Sequence, residues 1–249
     1  MPSLAEYRTQ LRSLAEWEPY LLTHSGLPGP RGNLELAHAV ALEGSAGQFH
    51  RWSGLTPDSA PENTPEVLLA FCGVLGLGRL LALGATGGAA SDPAILPRLR
   101  TLASDPRWRI REAVATALQL WGDADMPALI AEMTTWAAGN LTEQRAAAAA
   151  LCEPRLLVHP GSASAVVHLL DAITTDLAEI PVAGRKSEPF RILRQALGYC
   201  WSVAVAACPE TGLPVLQRWL AHPDPDVRWV MRENLRKKRL AAFHLSLPE

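Results

Sequence analysis

Apolar residues recur three and four positions apart along most of the 249-residue chain, which is the spacing of a helix that buries one face. The clearest apolar stripe is formed by Ile110, Ala113, Val114, Ala117, Leu118 and Trp121. Alternating apolar and polar runs rich in Val, Ile and Thr, which are typical of strands, are missing. The pattern therefore predicts an all-α protein.

Proline and glycine, 20 and 18 of them, fall mostly between the apolar segments and mark where helices end. The segments between these breaks are the predicted helices. They lie near residues 3–23, 34–44, 65–83, 93–103, 107–121, 125–138, 141–152, 162–179, 188–207, 211–221 and 225–241.

One predicted helix is apolar on every side. The stretch from Val67 to Leu83 contains a single charge, Arg79, so it resembles a short membrane span. Three glycines weaken that interpretation, and no second span occurs in the chain. We expect a helix that is buried on all sides, and no membrane partner.

Charge and cysteine usage narrow the choice of partners and of compartment. Lys and Arg number 23 against 25 Asp and Glu, so the net charge of −2 gives no overall basic field. Cys72, Cys152, Cys200 and Cys208 lie far apart in apolar stretches, and the seven histidines show no metal-ligand spacing. The N-terminus has no apolar secretion core. We expect reduced buried thiols, a cytoplasmic location, no metal and no cofactor.

Internal repetition is the most informative feature of the sequence. Residues 104–123 align with residues 222–240 through an Asp-Pro pair, an aliphatic residue, an arginine and a helix. The arginines are Arg111 and Arg228; weaker copies place Arg145 and either Arg191 or Arg194 in the same position. Asp105 and Asp224 are predicted to cap the helices that follow them, and Arg111 and Arg228 to reach back to a nearby acid or helix-end carbonyl.

This pattern resembles the HEAT family, in which an Asp of the turn inside an antiparallel helix pair is followed by Val/Ile-Arg. The resemblance covers residues 92–158 and 187–241. It implies an α-solenoid of HEAT-like antiparallel helix pairs, right-handed and with about five pairs. We expect an N-terminal helical cap over residues 1–63 and a HEAT-like repeat domain over residues 64–249 that forms one continuous solenoid.

Two further features leave alternatives open. The turn at Gly29–Asn33 is either an anion-binding loop or a structural turn in which Asn33 caps the next helix. In the last predicted helix, Arg228, Arg232, Arg236 and Arg239 share one face. They either grip phosphates or an acidic partner, or they favour the dipole at a helix C-terminus.

Tryptophan and arginine occur side by side at Trp108 and Trp229, in RWRIRE and VRWVMRE. The bacterial DNA alkylation repair glycosylases, which are also HEAT-like, share this pairing and the repeat type. Such an enzyme needs a carboxylate beside an aromatic slot, and Asp105 and Asp224 are better explained as caps. Most tryptophans are expected to pack in the core.

The sequence therefore favours noncatalytic recognition of a protein partner through a concave helical surface. The first residues to test are Arg111, Arg145, Arg191, Arg228, Arg232, Trp108 and Trp229. Some of these arginines could instead lock the repeats together. The alternatives are a nucleic-acid-binding protein, in which Arg228, Arg232, Arg236 and Arg239 hold phosphates, and a DNA alkylation repair enzyme.

Overall fold

The computed structural model describes residues 2–88 and 92–245, and all regular structure in these ranges is helical. This confirms the prediction of an all-α fold. The α-helices are α1 Leu4–Ser13, α2 Glu18–Thr23, α3 Leu34–Glu43, α4 Ala46–Ser53, α5 Glu66–Ala85, α6 Ile95–Leu102, α7 Trp108–Ala124, α8 Met126–Ala137, α9 Leu141–Leu151, α10 Pro160–Glu179, α11 Glu188–Ala207, α12 Pro209–Leu220 and α13 Pro225–Leu235. Short 3-10 helices cover Pro154–Leu156, Val182–Lys186 and Lys238–Phe243.

The chain divides into two compact units, Met1–Ala124 and Asp125–Glu249. Unit 1 contains α1 to α7, and unit 2 contains α8 to α13. The boundary predicted between residues 63 and 64 falls inside unit 1, in the turn before α5. The division into a cap and a repeat domain stays a prediction.

Helix α5 is the centre of unit 1 and contacts α3, α4 and α7. Its glycines allow the neighbouring helices to come close: a Cβ on Gly73 would lie 2.2 Å from the Ser53 amide nitrogen, and one on Gly78 would lie 2.2 Å from the Ala117 carbonyl oxygen. In the described part of the chain, α5 alone has the length and apolar composition of a membrane span, but 78% of its most apolar window is buried inside the protein. The predicted buried helix is confirmed.

The single helix predicted over residues 3–23 is wrong, because the chain breaks between α1 and α2. Leu14 adopts an extended backbone conformation, and Pro19 lies in the first turn of α2. Proline has no amide hydrogen to donate to the preceding turn, so a continuous helix would lose a bond and meet a steric clash there. The Trp17 indole nitrogen instead donates to the Leu11 carbonyl at 2.9 Å, near the end of α1.

Helix α4 was not predicted, although its N-terminus carries a recognisable signal. The Ser45 hydroxyl accepts a hydrogen bond from the Gln48 amide, and the Gln48 side chain accepts one from the Ser45 amide at 2.9 Å. This Ser-x-x-Gln capping box precedes Phe49 and Trp52, both of which are buried. A search for capping boxes would have found the helix.

In unit 2 the helices contact each other in a regular order. The pairs α8 and α9, α10 and α11, and α12 and α13 each pack together. The first helices of the pairs also contact in succession, α8 with α10 and α10 with α12. The second helices do the same, α9 with α11 and α11 with α13. The alanine run 146–150 allows the approach of α11 to α9, where the Cys200 thiol lies 3.5 Å from the Ala148 carbonyl oxygen.

The last predicted helix, 225–241, is also wrong at its C-terminal end. Helix α13 ends at Leu235, Lys237 is extended, and a separate 3-10 helix begins at Lys238. The four arginines at 228, 232, 236 and 239 therefore do not share one continuous helical face. The bond from the Lys237 amide to the Asn234 carbonyl, at 2.9 Å, spans three residues and closes the helix with a tighter turn.

The cysteines are packed as apolar residues. Cys72, Cys152 and Cys200 are buried, Cys208 is half-buried, and none forms a disulfide in the described chain. Burial raises the pKa of the Cys72 thiol above its ordinary value, and burial followed by a hydrogen bond with Cys200 raises the pKa of Cys152. Both thiols therefore stay protonated at neutral pH.

Candidate binding surface

Three of the predicted arginines are exposed on neighbouring helices of unit 2. Arg191 lies on α11, and Arg228 and Arg232 lie one turn apart on α13. Within residues 2–88 and 92–245, their side chains form no hydrogen bond and no ion pair. Their charge is therefore available to an external group.

Helix α13 is fixed against α11 by a buried asparagine. The Asn234 side chain accepts a hydrogen bond from the Ser202 amide and donates one to the Leu197 carbonyl, both at 2.8 Å. Gly198 leaves room for the Trp229 ring, since a Cβ there would lie 3.3 Å from it. These contacts hold the two arginine-bearing helices in a fixed register.

A network of charged side chains lies at the start of both helices. Arg185 contacts Asp224 at 2.6 Å and Asp226 at 3.1 Å, and it also donates to the Ile180 and Ala178 carbonyls. Arg194 pairs with the other oxygen of Asp226. Asp224 caps α13 by accepting bonds from the amides of residues 226 and 227, as predicted. The network joins the segment before α11 to the first turn of α13.

The pKa values of the network agree with this geometry. Burial tends to raise the pKa of Asp224, but hydrogen bonds from Arg185 and from the two backbone amides outweigh it, so the pKa is lowered. The hydrogen bond with Asp224 in turn raises the pKa of Arg185. Asp224 is therefore a stabilised carboxylate and a poor candidate for a proton acceptor in catalysis.

Two aromatic rings lie among the cations of this region. The Arg194 guanidinium is 4.3 Å from the centroid of the half-buried Trp229 ring. Tyr199 is 42% exposed, and Arg239 lies 4.9 Å from its ring and donates to its hydroxyl at 3.0 Å. We call this surface the basic face and define it by Arg191, Arg194, Tyr199, Arg228, Trp229, Arg232 and Arg239.

Arg111 has a different environment, because it is buried in unit 1 with only 8% of its surface exposed. Its guanidinium donates to the carbonyl oxygens of Asp105 and Pro106 at 2.7 and 2.9 Å. Arg111 reaches back as predicted, although to carbonyls of the turn between α6 and α7, and the geometry supports the structural alternative for this arginine. The same prediction is wrong for Arg228, whose side chain bonds to no acid or carbonyl among the described residues.

The prediction that Asp105 caps α7 is wrong. The Asp105 carboxylate accepts bonds from the Arg107 amide and guanidinium at 2.7–2.8 Å, and α7 begins only at Trp108. Arg107 is buried, and its remaining hydrogens reach the carbonyls of Leu55, Thr56 and Ala60. Both carboxylate oxygens of Asp105 therefore accept bonds from Arg107, a residue of the turn, and not from the amides of α7.

The tryptophans fall into two classes. Trp52, Trp121, Trp136, Trp201 and Trp219 are buried and pack in the core. Trp108 is 46% exposed, with the Arg109 guanidinium 4.5 Å from its ring centroid. The sequence distinguished Trp108 and Trp229 by their neighbouring arginines, and the structure gives both rings a stacked arginine.

The structure brings only some of the predicted residues together. Arg191, Arg228, Trp229 and Arg232 lie on the adjacent helices α11 and α13, whereas Arg145 is half-buried on α9. Arg111 and Trp108 belong to unit 1. Sequence reasoning missed Tyr199, although it follows Arg191 and Gln195 at intervals of four, the spacing of one helix face.

Neither carboxylate considered for a repair enzyme is placed as that chemistry requires. Asp105 is paired with Arg107, and Asp224 is paired with Arg185 and caps a helix. Among the residues that the structure describes, no group of three His, Cys, Asp or Glu side chains could hold a metal ion.

Comparison with known proteins adds no family to this picture. No protein-family model matches the chain, and no curated protein matches it at a significant level.

Proposed function

We propose that the protein is a noncatalytic binding scaffold made of HEAT-like antiparallel helix pairs. The order of contacts in unit 2 supports this architecture, because first helices contact first helices and second helices contact second helices. The loops inside the pairs support it as well, since α8 and α9 are joined by three residues, which favours antiparallel neighbours. In unit 1, α3, α5 and α7 contact in the same succession.

The proposed ligand of the basic face is an acidic segment of a protein partner. The observation that carries this proposal is the exposure of Arg191, Arg228 and Arg232 without intramolecular partners in the described chain. Arginine binds carboxylates with a planar pair of donors, so such a surface suits Asp and Glu side chains. Tyr199 and Trp229 add apolar area to the contact, as aromatic residues do at protein interfaces.

The distribution of charge favours a short acidic segment over a long polyanion. Residues 185–245 contain eleven Lys and Arg and five Asp and Glu, whereas residues 125–184 contain two and seven. A duplex, which carries one negative charge per ~1.7 Å, would extend from the basic face onto the acidic part of the same unit. An acidic peptide can end at the edge of the basic face.

A peptide titration tests the proposal. The probe is a fluorescein-labelled 12-residue peptide in which Glu alternates with Ser, and the comparison is the same peptide with Gln. We expect the triple variant Arg191→Ala/Arg228→Ala/Arg232→Ala to bind the Glu peptide about tenfold more weakly, since each exposed charge contributes roughly 0.5 kcal/mol. The measurement is fluorescence polarisation at two salt concentrations.

The control removes two exposed arginines of unit 1 that lie outside any proposed site, Arg12 and Arg51, and should bind the peptide as the unmodified chain does. Equal binding of the peptide by the triple variant and the unmodified protein would overturn the proposal. So would equal affinity for the Glu and Gln peptides.

Nucleic-acid binding is the second candidate, and the stacked pairs Arg194 with Trp229 and Arg239 with Tyr199 favour it. Aromatic rings and arginine planes are the groups on which unpaired bases stack. The same titration with a 12-nucleotide single strand and a 20-base-pair duplex distinguishes the two. Tighter binding of either nucleic acid than of the Glu peptide, with a steep salt dependence, would support this second function. Release of an alkylated base from the duplex would support a repair enzyme.

A further inference from the structure

A second candidate site is a cavity of unit 1, which is built from none of the residues of the basic face. A cavity of about 210 Å³ is formed by the turn before α3 and the first turns of α5 and α7. Its buried apolar lining includes Leu27, Val67, Leu68 and Phe71. We call it the Trp108 pocket and define it by these four residues together with Arg31, Leu34, Trp108 and Arg109.

Two large apolar side chains lie exposed at this pocket. Leu34 is 52% exposed and Trp108 is 46% exposed, although both begin helices whose other apolar residues are mostly buried. Exposed apolar side chains around a cavity lose contact with water when a ligand enters, so they favour its binding.

The Trp108 ring is held in place by a buried arginine. Arg109 is 7% exposed, and its guanidinium lies 4.5 Å from the ring centroid. It is fixed by the Glu62 carboxylate at 2.5 Å, the Glu62 carbonyl at 3.0 Å and the Gly29 carbonyl at 2.7 Å. Because Arg109 is fixed, it offers the Trp108 ring a constant surface to pack on.

One cation at the pocket has no intramolecular partner. Arg31 is exposed, and across the described residues its side chain forms no hydrogen bond or ion pair. The charge of Arg109 is offset by Glu62, and Glu112, which also lines the pocket, is already engaged. The N-terminal turns of α5 and α7 add a positive potential at the same place. The pocket therefore combines an apolar cavity with an exposed arginine, Arg31, that has no intramolecular partner among the described residues.

We propose that the Trp108 pocket binds an aromatic side chain of a protein partner whose adjacent residue is Asp or Glu. The cavity is smaller than the roughly 300–1,000 Å³ of pockets that hold whole small ligands, so it suits a single large side chain. Protein interfaces commonly depend on one aromatic anchor in such a pocket. Arg31 then pairs with the neighbouring carboxylate, and this inference does not depend on the basic face of unit 2.

Three tetrapeptides test the proposal with the full-length protein: acetyl-Gly-Asp-Phe-Gly-amide, the same peptide with Asn for Asp, and the same peptide with Ala for Phe. The readout is the indole N–H signal of Trp108 in a ¹H–¹⁵N spectrum, assigned with Trp108→Phe. We expect the Asp-Phe peptide to shift this signal, the Asn-Phe peptide to bind about threefold more weakly, as loss of one exposed charge pair predicts, and the Asp-Ala peptide to leave it unchanged.

Variants separate the two parts of the site. Arg31→Gln should remove the difference between the Asp and Asn peptides while the Phe-dependent shift remains. Trp108→Ala should abolish binding, which is followed in this variant by the ¹H line widths of the peptide because the Trp108 signal is absent. Since Trp108 packs on Arg109, the other indole signals report whether that variant is folded. Lys186→Gln, which removes an exposed cation of unit 2 outside the basic face, is the control and should bind as the unmodified protein does.

The inference is overturned if the Asp-Phe and Asn-Phe peptides bind the unmodified protein equally, or if the Asp-Phe peptide leaves the Trp108 signal unchanged. If the Glu peptide does not bind the basic face, the results for the Trp108 pocket still stand, because the two experiments use different units and different variants.

Discussion

The arginines at two Asp-Pro turns of similar sequence have opposite environments. In unit 1, Arg107 lies in the turn, and Arg109 and Arg111 lie in the first turn of α7. All three are buried, and their guanidinium groups donate mainly to backbone carbonyls. In unit 2 the corresponding segment leaves Arg228 and Arg232 exposed. The arginine that follows the Asp-Pro pair, Arg111 or Arg228, is therefore buried in one unit and exposed in the other.

The acids of the two turns also differ in their partners. Asp105 is paired with Arg107, only two residues along the chain. Asp224 is paired with Arg185, which comes from the segment before α11, and it caps α13. In unit 1 the acid therefore pairs within its own turn, whereas in unit 2 it pairs with another segment of the unit.

The largest expected effect comes from Arg107. Its guanidinium uses its donors on Asp105 and on the carbonyls of the 55–60 segment, all inside unit 1. Arg107→Ala leaves a buried carboxylate without its partner, and we expect a loss of about 3–5 kcal/mol in the free energy of unfolding. Urea unfolding followed by circular dichroism measures it.

Lysine at position 107 should recover little of this loss, because it lacks the planar set of five donors. A change below about 1 kcal/mol for Arg107→Ala would mean that the buried pair contributes little, as replaced buried pairs sometimes do.

The next prediction compares Arg111 and Arg228, the arginines that follow the two Asp-Pro pairs. Arg111→Ala removes two charge-assisted bonds to carbonyls, one buried and one partly buried, and should destabilise the protein by about 1.5–3 kcal/mol. Arg228→Ala removes an exposed side chain and should change stability by less than about 0.5 kcal/mol. Thermal unfolding of the two variants side by side gives the comparison, and similar losses would show that exposure does not separate the two roles.

The smallest expected effect is the pH dependence of the stability that the Asp224 carboxylate contributes. Its folded pKa is lowered from the ordinary value of 3.8, so its carboxylate stabilises the fold above that value and loses this contribution as the pH falls through the folded pKa. Asp224→Asn keeps a capping oxygen but loses the charge. We expect it to cost about 1 kcal/mol at pH 7, in the upper range for partly exposed pairs, and progressively less as the pH falls below 3.8 and through the folded pKa.

Unfolding by urea at several pH values measures this difference between Asp224→Asn and the unmodified chain. Glu6, an exposed acid whose pKa is lowered by its bonds to Ser3 in unit 1, supplies the control through Glu6→Gln. A stability difference for Asp224→Asn that does not change between pH 7 and pH 2 would exclude the proposed charge pairing.

Local chemistry explains which helices could be predicted. Asn33 and Asp224 each precede an apolar periodic segment, and each caps a helix as expected. The errors also have local causes: Pro19 interrupts the first helix, and the Ser45–Gln48 capping box starts a helix that periodicity alone did not show. A short helix presents too few apolar repeats for periodicity to detect.

The candidate sites were predictable only in part. Exposure of Arg191, Arg228 and Arg232 depends on which neighbours cover them, and the burial of Arg111 depends on a turn six residues away. The Trp108 pocket combines residues from positions 27 to 109. No local pattern encodes such a convergence, since it follows from the way α3, α5 and α7 pack.

The sequence by itself determined the helical class of this protein, the position of most helices and the recurrence of arginine near their starts. These properties depend on interactions between residues a few positions apart, which periodicity and capping chemistry record directly. The tertiary structure decided which arginines are buried, which acid pairs with which cation and where a cavity remains. Those outcomes depend on contacts between distant segments, and the free energy of burying a charge changes by several kcal/mol with the partners that those contacts supply.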